Sequence, residues 1–256
     1  MGLSVDLDFD GRIVAITGAA TGFGQATARA FARRGARVFG VDLDAAGLAA
    51  TAAGMPDIRT NALDLTDHDA VAAWIHGIES EAGPIGVLVN NAGGVLGRSF
   101  APIENASYAD WRAILDVNLD AAFATVKAAV PGMKRAGTGR IVNISSGAGL
   151  RASRTGVQAY TSAKHAMVGL TRQLAQELGP FGINVNAVAP GLFAVSPGTR
   201  QQWDSYGPQG QKSVIDGLAL RRMGEAEDIA KAVMFFSSSL ADFVTGQVLP
   251  VNGGSF

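Results

Sequence analysis

Residues 12–17, RIVAIT, form a short apolar run that reads as a buried strand. Gly18-Ala19-Ala20-Thr21-Gly22-Phe23-Gly24 follows without a spacer, and the next stretch, QATARAFARRG, favours helix. Strand, glycine-rich turn and helix constrain this chain more than any other feature. The glycines allow close backbone approach, and the unpaired N–H groups and dipole of a helix N-terminus face an anion, so the unit makes a diphosphate cradle. A second strand, ARVFGVD, ends in Asp42, eighteen residues beyond Gly24. A carboxylate there can accept both hydroxyls of an adenosine ribose and repels a 2′-phosphate, while Leu43 offers no compensating cation. The cradle is therefore expected to take NAD in preference to NADP.

The rest of the chain repeats the alternation. Strands are expected near 12–17, 36–41, 58–63, 85–90, 139–145, 183–188 and 246–250, and helices near 22–34, 44–53, 67–82, 107–136, 157–179 and 225–238. The pattern predicts an α/β fold, a Rossmann-type doubly wound parallel seven-stranded sheet with helices on both faces and right-handed crossovers. No linker interrupts residues 1–256, so they are expected to form one domain for both dinucleotide binding and catalysis. Ligand should lie at the carboxyl ends of the strands, where strand order reverses. Residues 192–222 break the rhythm, with Pro197, Gly198, Pro208 and Gly210 and few periodic apolar positions. A loop of that length reads as a substrate lid.

Tyr160 and Lys164 stand four apart in YTSAK, so a helix puts them on one face. A phenol with a pKa of about 10 is a poor base at neutral pH unless its anion is stabilised. A fixed ammonium one turn away would supply that stabilisation; a shift of about three units corresponds to about 4 kcal/mol. Ser146 precedes the pair at the end of an apolar strand.

Taken together, these motifs resemble the short-chain dehydrogenase/reductase family in its compact branch, over nearly all 256 residues. Thr17 to Gly24 fit its TGxxxGxG motif, which implies coenzyme contacts at Gly18, Thr21, Gly22, Phe23 and Gly24. The resemblance extends the coenzyme site to Asp42 and Leu43, to Asp64 and Leu65 in ALDLTD, and to Asn90, Ala92 and Gly93 in NNAG. Pro190, Gly191 and Val195 of the PG loop belong to the same implied site, as do Tyr160 and Lys164. Asn118 in DVNL matches the asparagine of a proton relay, and Ser146 the serine that closes a GRIVNISS-type strand. The resemblance implies reversible hydride transfer between a carbinol carbon and nicotinamide C4. Tyr160 would be the acid–base group and Ser146 would orient the substrate oxygen. Lys164 would stabilise the phenolate and hold the nicotinamide ribose, and Asn118 would keep a water linking Lys164 to solvent. It also implies a homotetramer built by pairing the helices around 107–136 and 157–179 together with the C-terminal strand; Ala121, Ala122, Ala124, Ala128 and Ala129 would permit close packing there.

Some positions depart from the family pattern. Ser146 lies fourteen residues before Tyr160, one more than is common. Gly147, at thirteen, has no hydroxyl, so Ser146 is assigned with Ser145 as the alternative. Many relatives carry threonine at the position of Val195, which leaves Val195 its backbone and Ser196 as a substitute donor. VNGG replaces the commoner VDGG near the C-terminus, a change expected to affect subunit packing. The altered loop GAGLRASRTGVQ carries Arg151 and Arg154, and a guanidinium suits a carboxylate. With Ser146 and Tyr160 they are the candidate substrate contacts, pointing to a hydroxy acid or sugar acid. A neutral sugar or polyol, with Trp203 and Tyr206 of the lid packing over a ring, is the alternative. A 3-ketoacyl reductase and a non-catalytic dinucleotide sensor are further alternatives; Asp42 argues against the first and the Ser146–Tyr160–Lys164 set against the second.

Several classes are excluded. A net charge of −1 leaves no electrostatic footprint for nucleic acid, and no apolar stretch approaches the roughly 20 residues that span a membrane. With no cysteine, thiolate chemistry and disulfides are absent, and His68, His76 and His165 lack metal-ligand spacing. Asp6, Asp8 and Asp10 near the N-terminus, with no apolar core, do not match a signal peptide. A cytoplasmic enzyme acting on a small molecule, without bound metal, is the expectation.

Overall fold

The computed structural model describes residues 7–153 and 155–255. Its strands are β1 (Ile13–Thr17), β2 (Arg37–Asp42), β3 (Ile58–Ala62), β4 (Val87–Asn90), β5 (Gly139–Ile144), β6 (Ile183–Pro190) and β7 (Val248–Val251). The helices are α1 (Gly22–Ala32), α2 (Ala45–Ala52), α3 (His68–Ala82), α4 (Tyr108–Leu115), α5 (Ala121–Ala136), α6 (Gln158–Leu178), α7 (Pro197–Ser205), α8 (Gly207–Asp216) and α9 (Ala226–Ser237). The seven strands form one sheet in the order β3-β2-β1-β4-β5-β6-β7, with every pair parallel.

The strands read as continuous apolar runs because both faces of the sheet are covered. Val14 and Ile16 of β1 join Phe31, Ile229, Val233 and Phe236 in one core layer, while Ala15 between them faces Val71, Ile75, Met133 and Leu178 in the other. Successive residues of a strand point to opposite faces, so one strand feeds both cores. Strand order reverses between β1 and β4, the point at which folds of this type bind ligand beyond the carboxyl ends of the strands.

Two segments differ from the sequence expectation. The helix expected over 107–136 is interrupted by a π-helical turn at Asp116–Asp120. Asn118 lies within this turn, and its Nδ2 donates to the Ile114 carbonyl at 2.9 Å. The expected long loop over 192–222 contains α7 and α8. Pro197 and Pro208, read as breakers, instead sit in the first turns of these helices, where a missing N–H costs nothing. Ser196 and Thr199 make a capping box that starts α7.

Candidate active site

The glycine turn and the end of β4 are built as one unit. Asn91 Nδ2 donates to the carbonyls of Thr17 (3.0 Å) and Gly18 (2.9 Å), and the backbone N–H groups of Asn91 and Ala92 both donate to Thr17 Oγ1 at 3.0 Å. Gly18 has φ +67°, and a Cβ there would come within 2.8 Å of Ala92 Cα. A Cβ on Gly24 would overlap the Gly18 carbonyl oxygen, so the turn closes only with glycine at both positions.

Several observations fit a dinucleotide diphosphate at this turn. The N-terminus of α1 has no side-chain cap and no acid in its first turn, whereas Asp44, Asp67, Ser107 and Ser196 cap α2, α3, α4 and α7. Its N–H groups are thus left for an anion. Asp42, half-buried at the end of β2, is oriented by the N–H of Ala20 (3.1 Å to Oδ2) and of Asp44 (3.1 Å to Oδ1). Leu43 beside it is 70% exposed. Asp64 accepts from Thr66 N and Oγ1, and Leu65 is buried. Gly191 follows β6 directly, and a Cβ there would lie 2.9 Å from Asn252 Cβ.

Asn90, an expected coenzyme contact, has its side chain engaged within the protein. Its amide donates to Asn143 Oδ1 (2.9 Å) and accepts from Thr125 Oγ1 (2.6 Å), so its buried side chain braces β4 against β5 and α5. The Val195 N–H donates to Thr199 Oγ1 at 3.1 Å, which leaves its carbonyl, and the Ser196 hydroxyl accepts from the Thr199 N–H as the cap of α7.

β5 and α6 bring the catalytic candidates together. Lys164 Nζ lies 5.7 Å from the centroid of the Tyr160 ring and donates to the Ile144 carbonyl at 3.0 Å. Asn118, fully buried, grips Gly94 with both amide atoms (Oδ1 from the N–H at 2.9 Å, Nδ2 to the carbonyl at 2.8 Å). Gly93 makes the space for this convergence: a Cβ on it would overlap Asn118 Oδ1 and lie 3.2 Å from Lys164 Nζ. Ser146 is half-buried and accepts from Ala148 N, whereas Ser145 is buried and its hydroxyl donates to the Lys164 carbonyl. The Ser146 hydroxyl acts on the Tyr160 phenol, which fits the assignment of Ser146 over Ser145.

The electrostatics correct one expectation. Burial pushes the Tyr160 phenol above its usual value, and the Ser146 hydroxyl pulls weakly the other way. The Lys164 ammonium is directed to the Ile144 carbonyl, and burial brings its own pKa down to about 8. Arg151, an expected substrate contact, is exposed and donates to Ser255 Oγ at 3.0 Å. Arg154 lies outside the described residues. Among the described residues no group of His, Asp and Glu has the arrangement of a metal site, and no helix is long and apolar enough to cross a membrane.

The family described as enoyl-(acyl carrier protein) reductase matches residues 18–255. D-threitol dehydrogenase of Mycolicibacterium smegmatis is 37% identical, with 98% of this chain and 96% of that protein covered. The chain belongs to the short-chain dehydrogenase/reductase family. Gluconate 5-dehydrogenase of Gluconobacter oxydans is 36% identical over 93% of this chain and 92% of its own length. The 3-oxoacyl-[acyl-carrier-protein] reductase of Thermotoga maritima is 34% identical over 96% and 98%. The crystal structure of levodione reductase superposes with a TM-score of 0.89 at 32% identity, covering 96% of this chain and 98% of that one. This short-chain dehydrogenase/reductase is an oxidoreductase acting on CH–OH groups with a nicotinamide coenzyme.

The sequence reading did not single out Thr17, Asn91, Asn143, Thr171 or Gly149. Thr17 and Asn91 stood within quoted motifs, and a buried polar residue at a strand end was the signal available. Their partners lie 73 or more residues away for Asn91 and 28 or more for Asn143.

Proposed function

We propose that this protein is an NAD-dependent dehydrogenase of a small polar secondary alcohol, working reversibly. The observation that carries the reading is the meeting of Ser146, Tyr160, Lys164 and Asn118 beside the glycine turn that Asp42 faces. Thr21 to Gly24, Asp42, Asp64 and Gly191 would hold the coenzyme, which when bound exchanges a hydride at its nicotinamide C4. In oxidation, Tyr160 takes the hydroxyl proton onto its phenolate oxygen while Ser146 donates to the substrate oxygen and fixes its position. Lys164 sustains charge beside the phenol and passes protons on past Asn118. In reduction the protonated phenol is the donor. Because burial holds the Tyr160 pKa high, oxidation should quicken as pH rises into the alkaline range and reduction should prevail nearer neutrality.

Asp42 supports NAD over NADP, since a second negative charge would meet a carboxylate already oriented by Ala20. For the substrate, the names threitol dehydrogenase and gluconate 5-dehydrogenase support a polyhydroxylated compound. The engagement of Arg151 with Ser255 favours recognition through hydroxyl groups over a carboxylate clamp at that residue. The segment 192–222, with α7 and α8, is assigned as a lid over this site, and the assembly as a homotetramer. The test is coenzyme reduction by the purified protein over polyols and their matching acids, with NAD and NADP in parallel. Activity on polyols with NAD, lost about a thousandfold in Tyr160→Phe, is the expected outcome. Unchanged turnover in Tyr160→Phe would defeat the mechanism.

A further inference from the structure

Lys164 is tied to the end of β5 at both of its own ends. Its Nζ donates to the carbonyl of Ile144 at 3.0 Å, and its backbone carbonyl accepts from the hydroxyl of the next residue, Ser145, also at 3.0 Å. Ser145 and Lys164 are each only 3% exposed. The Lys164 carbonyl lies mid-helix in α6, where the helix itself supplies a donor, so the serine hydroxyl occupies its second lone pair. Gly149 completes the arrangement: a Cβ there would overlap Ser145 Oγ and come within 2.5 Å of the Lys164 carbonyl oxygen. The loop after β5 is bare of side chain at the one point where it would break this bond.

We infer that Ser145 is a positioning residue for the reaction, its hydroxyl fixing the Lys164 backbone so that the ammonium stays at the Ile144 carbonyl, beside Tyr160 and Asn118. This deepens the proposed function and rests on Lys164 acting there. Without the bond, the α6 backbone at Lys164 can move away from β5 and take the side chain off its acceptor. A displacement of this kind costs turnover steeply, because the geometry of the reacting groups is set to a fraction of an ångström. The groups that face the ammonium are Tyr160 from its own helix, the Ile144 carbonyl from β5 and Asn118 from the π-helical turn. Of these, Tyr160 alone titrates.

The experiment compares wild type, Ser145→Ala and Ser145→Thr by turnover, coenzyme binding, thermal unfolding and the NMR titration of Lys164 labelled with ¹³C at Cε. Ser145→Ala is expected to bind coenzyme and fold as the wild type does. Its kcat should fall about tenfold or more with KM little changed. Its Lys164 titration midpoint should drop below the wild-type value of about 8, since the ammonium loses its acceptor. Ser145→Thr, which keeps the hydroxyl, should restore both. An unchanged kcat and midpoint in Ser145→Ala would overturn the inference. So would loss of fold or of coenzyme binding in that variant, which would assign the hydroxyl to stability. A wild type without dehydrogenase activity would instead defeat the proposed function, and the NMR titration would still report on the bond.

Discussion

Lys164 carries a cost that only function explains. Burial brings its pKa down to about 8 from 10.5, so holding the charge inside at neutral pH costs about 3 kcal/mol. Between those two values the unfolded chain binds more protons than the folded one, so stability rises with pH across the window, and the penalty is complete below it. Lys164→Met should therefore unfold at higher denaturant at neutral pH, by about 2 kcal/mol after loss of the bond to Ile144. The gain should fade between about pH 8 and 10.5 while dehydrogenase activity is lost at every pH. Denaturant titrations at several pH values check the sign. The sequence placed Tyr160 and Lys164 on one helical face, since spacing alone decides that. Their pKa shifts were out of reach, because desolvation depends on what the remaining chain stacks over them.

At the level of elements, the site is a set of strand ends and helix starts whose polar groups are either spent or left free. In the proposed coenzyme site the uncapped N-terminus of α1 would face the diphosphate and the carboxylate at the end of β2 the adenosine ribose. Asp42→Ala combined with Leu43→Arg should move preference from NAD toward NADP by about tenfold to a hundredfold, the worth of a charged hydrogen bond. Kinetics with both coenzymes measure it, and an unchanged ratio would remove Asp42 from the ribose site. The π-helical turn makes a second case. Asn118→Leu keeps the volume but strands the Ile114 carbonyl and both backbone groups of Gly94, and should destabilise by about 2–4 kcal/mol with loss of turnover. The helical period of 107–136 was legible, but the interruption was not, since Asn118 within it bonds Gly94 outside the helix as well as Ile114. The helices of 192–222 escaped for a different reason: Pro197 and Pro208 break a helix interior yet favour its first turn, and sequence alone leaves both readings open.

For the whole molecule, apolar surface remains on the outer faces of the helices that flank the site. A cavity of about 320 Å³ lies between α5 and α6, lined by Leu119, Phe123, Ala166, Gly169 and Leu170, and Phe123 is 54% exposed. Phe243 and Leu249 expose a second apolar area near β7. These faces agree with the proposed tetramer. Phe123→Asp should lower the mass measured by light scattering, while an unchanged mass would move the contact elsewhere. The order of layers followed from local pattern, because strands buried on both faces must be apolar throughout and their helices must return the chain to the same edge. The residue types of the chemistry were equally local, carried by short motifs such as YTSAK and NNAG. Which polar groups remain available was decided by the fold alone. Ser145 donates to the Lys164 carbonyl while Ser146 acts on Tyr160, the Asn90 side chain bonds Asn143 and Thr125, and Arg151 bonds Ser255. A hydrogen bond uses up a group only when its partner arrives, and here the partners come from distant parts of the chain.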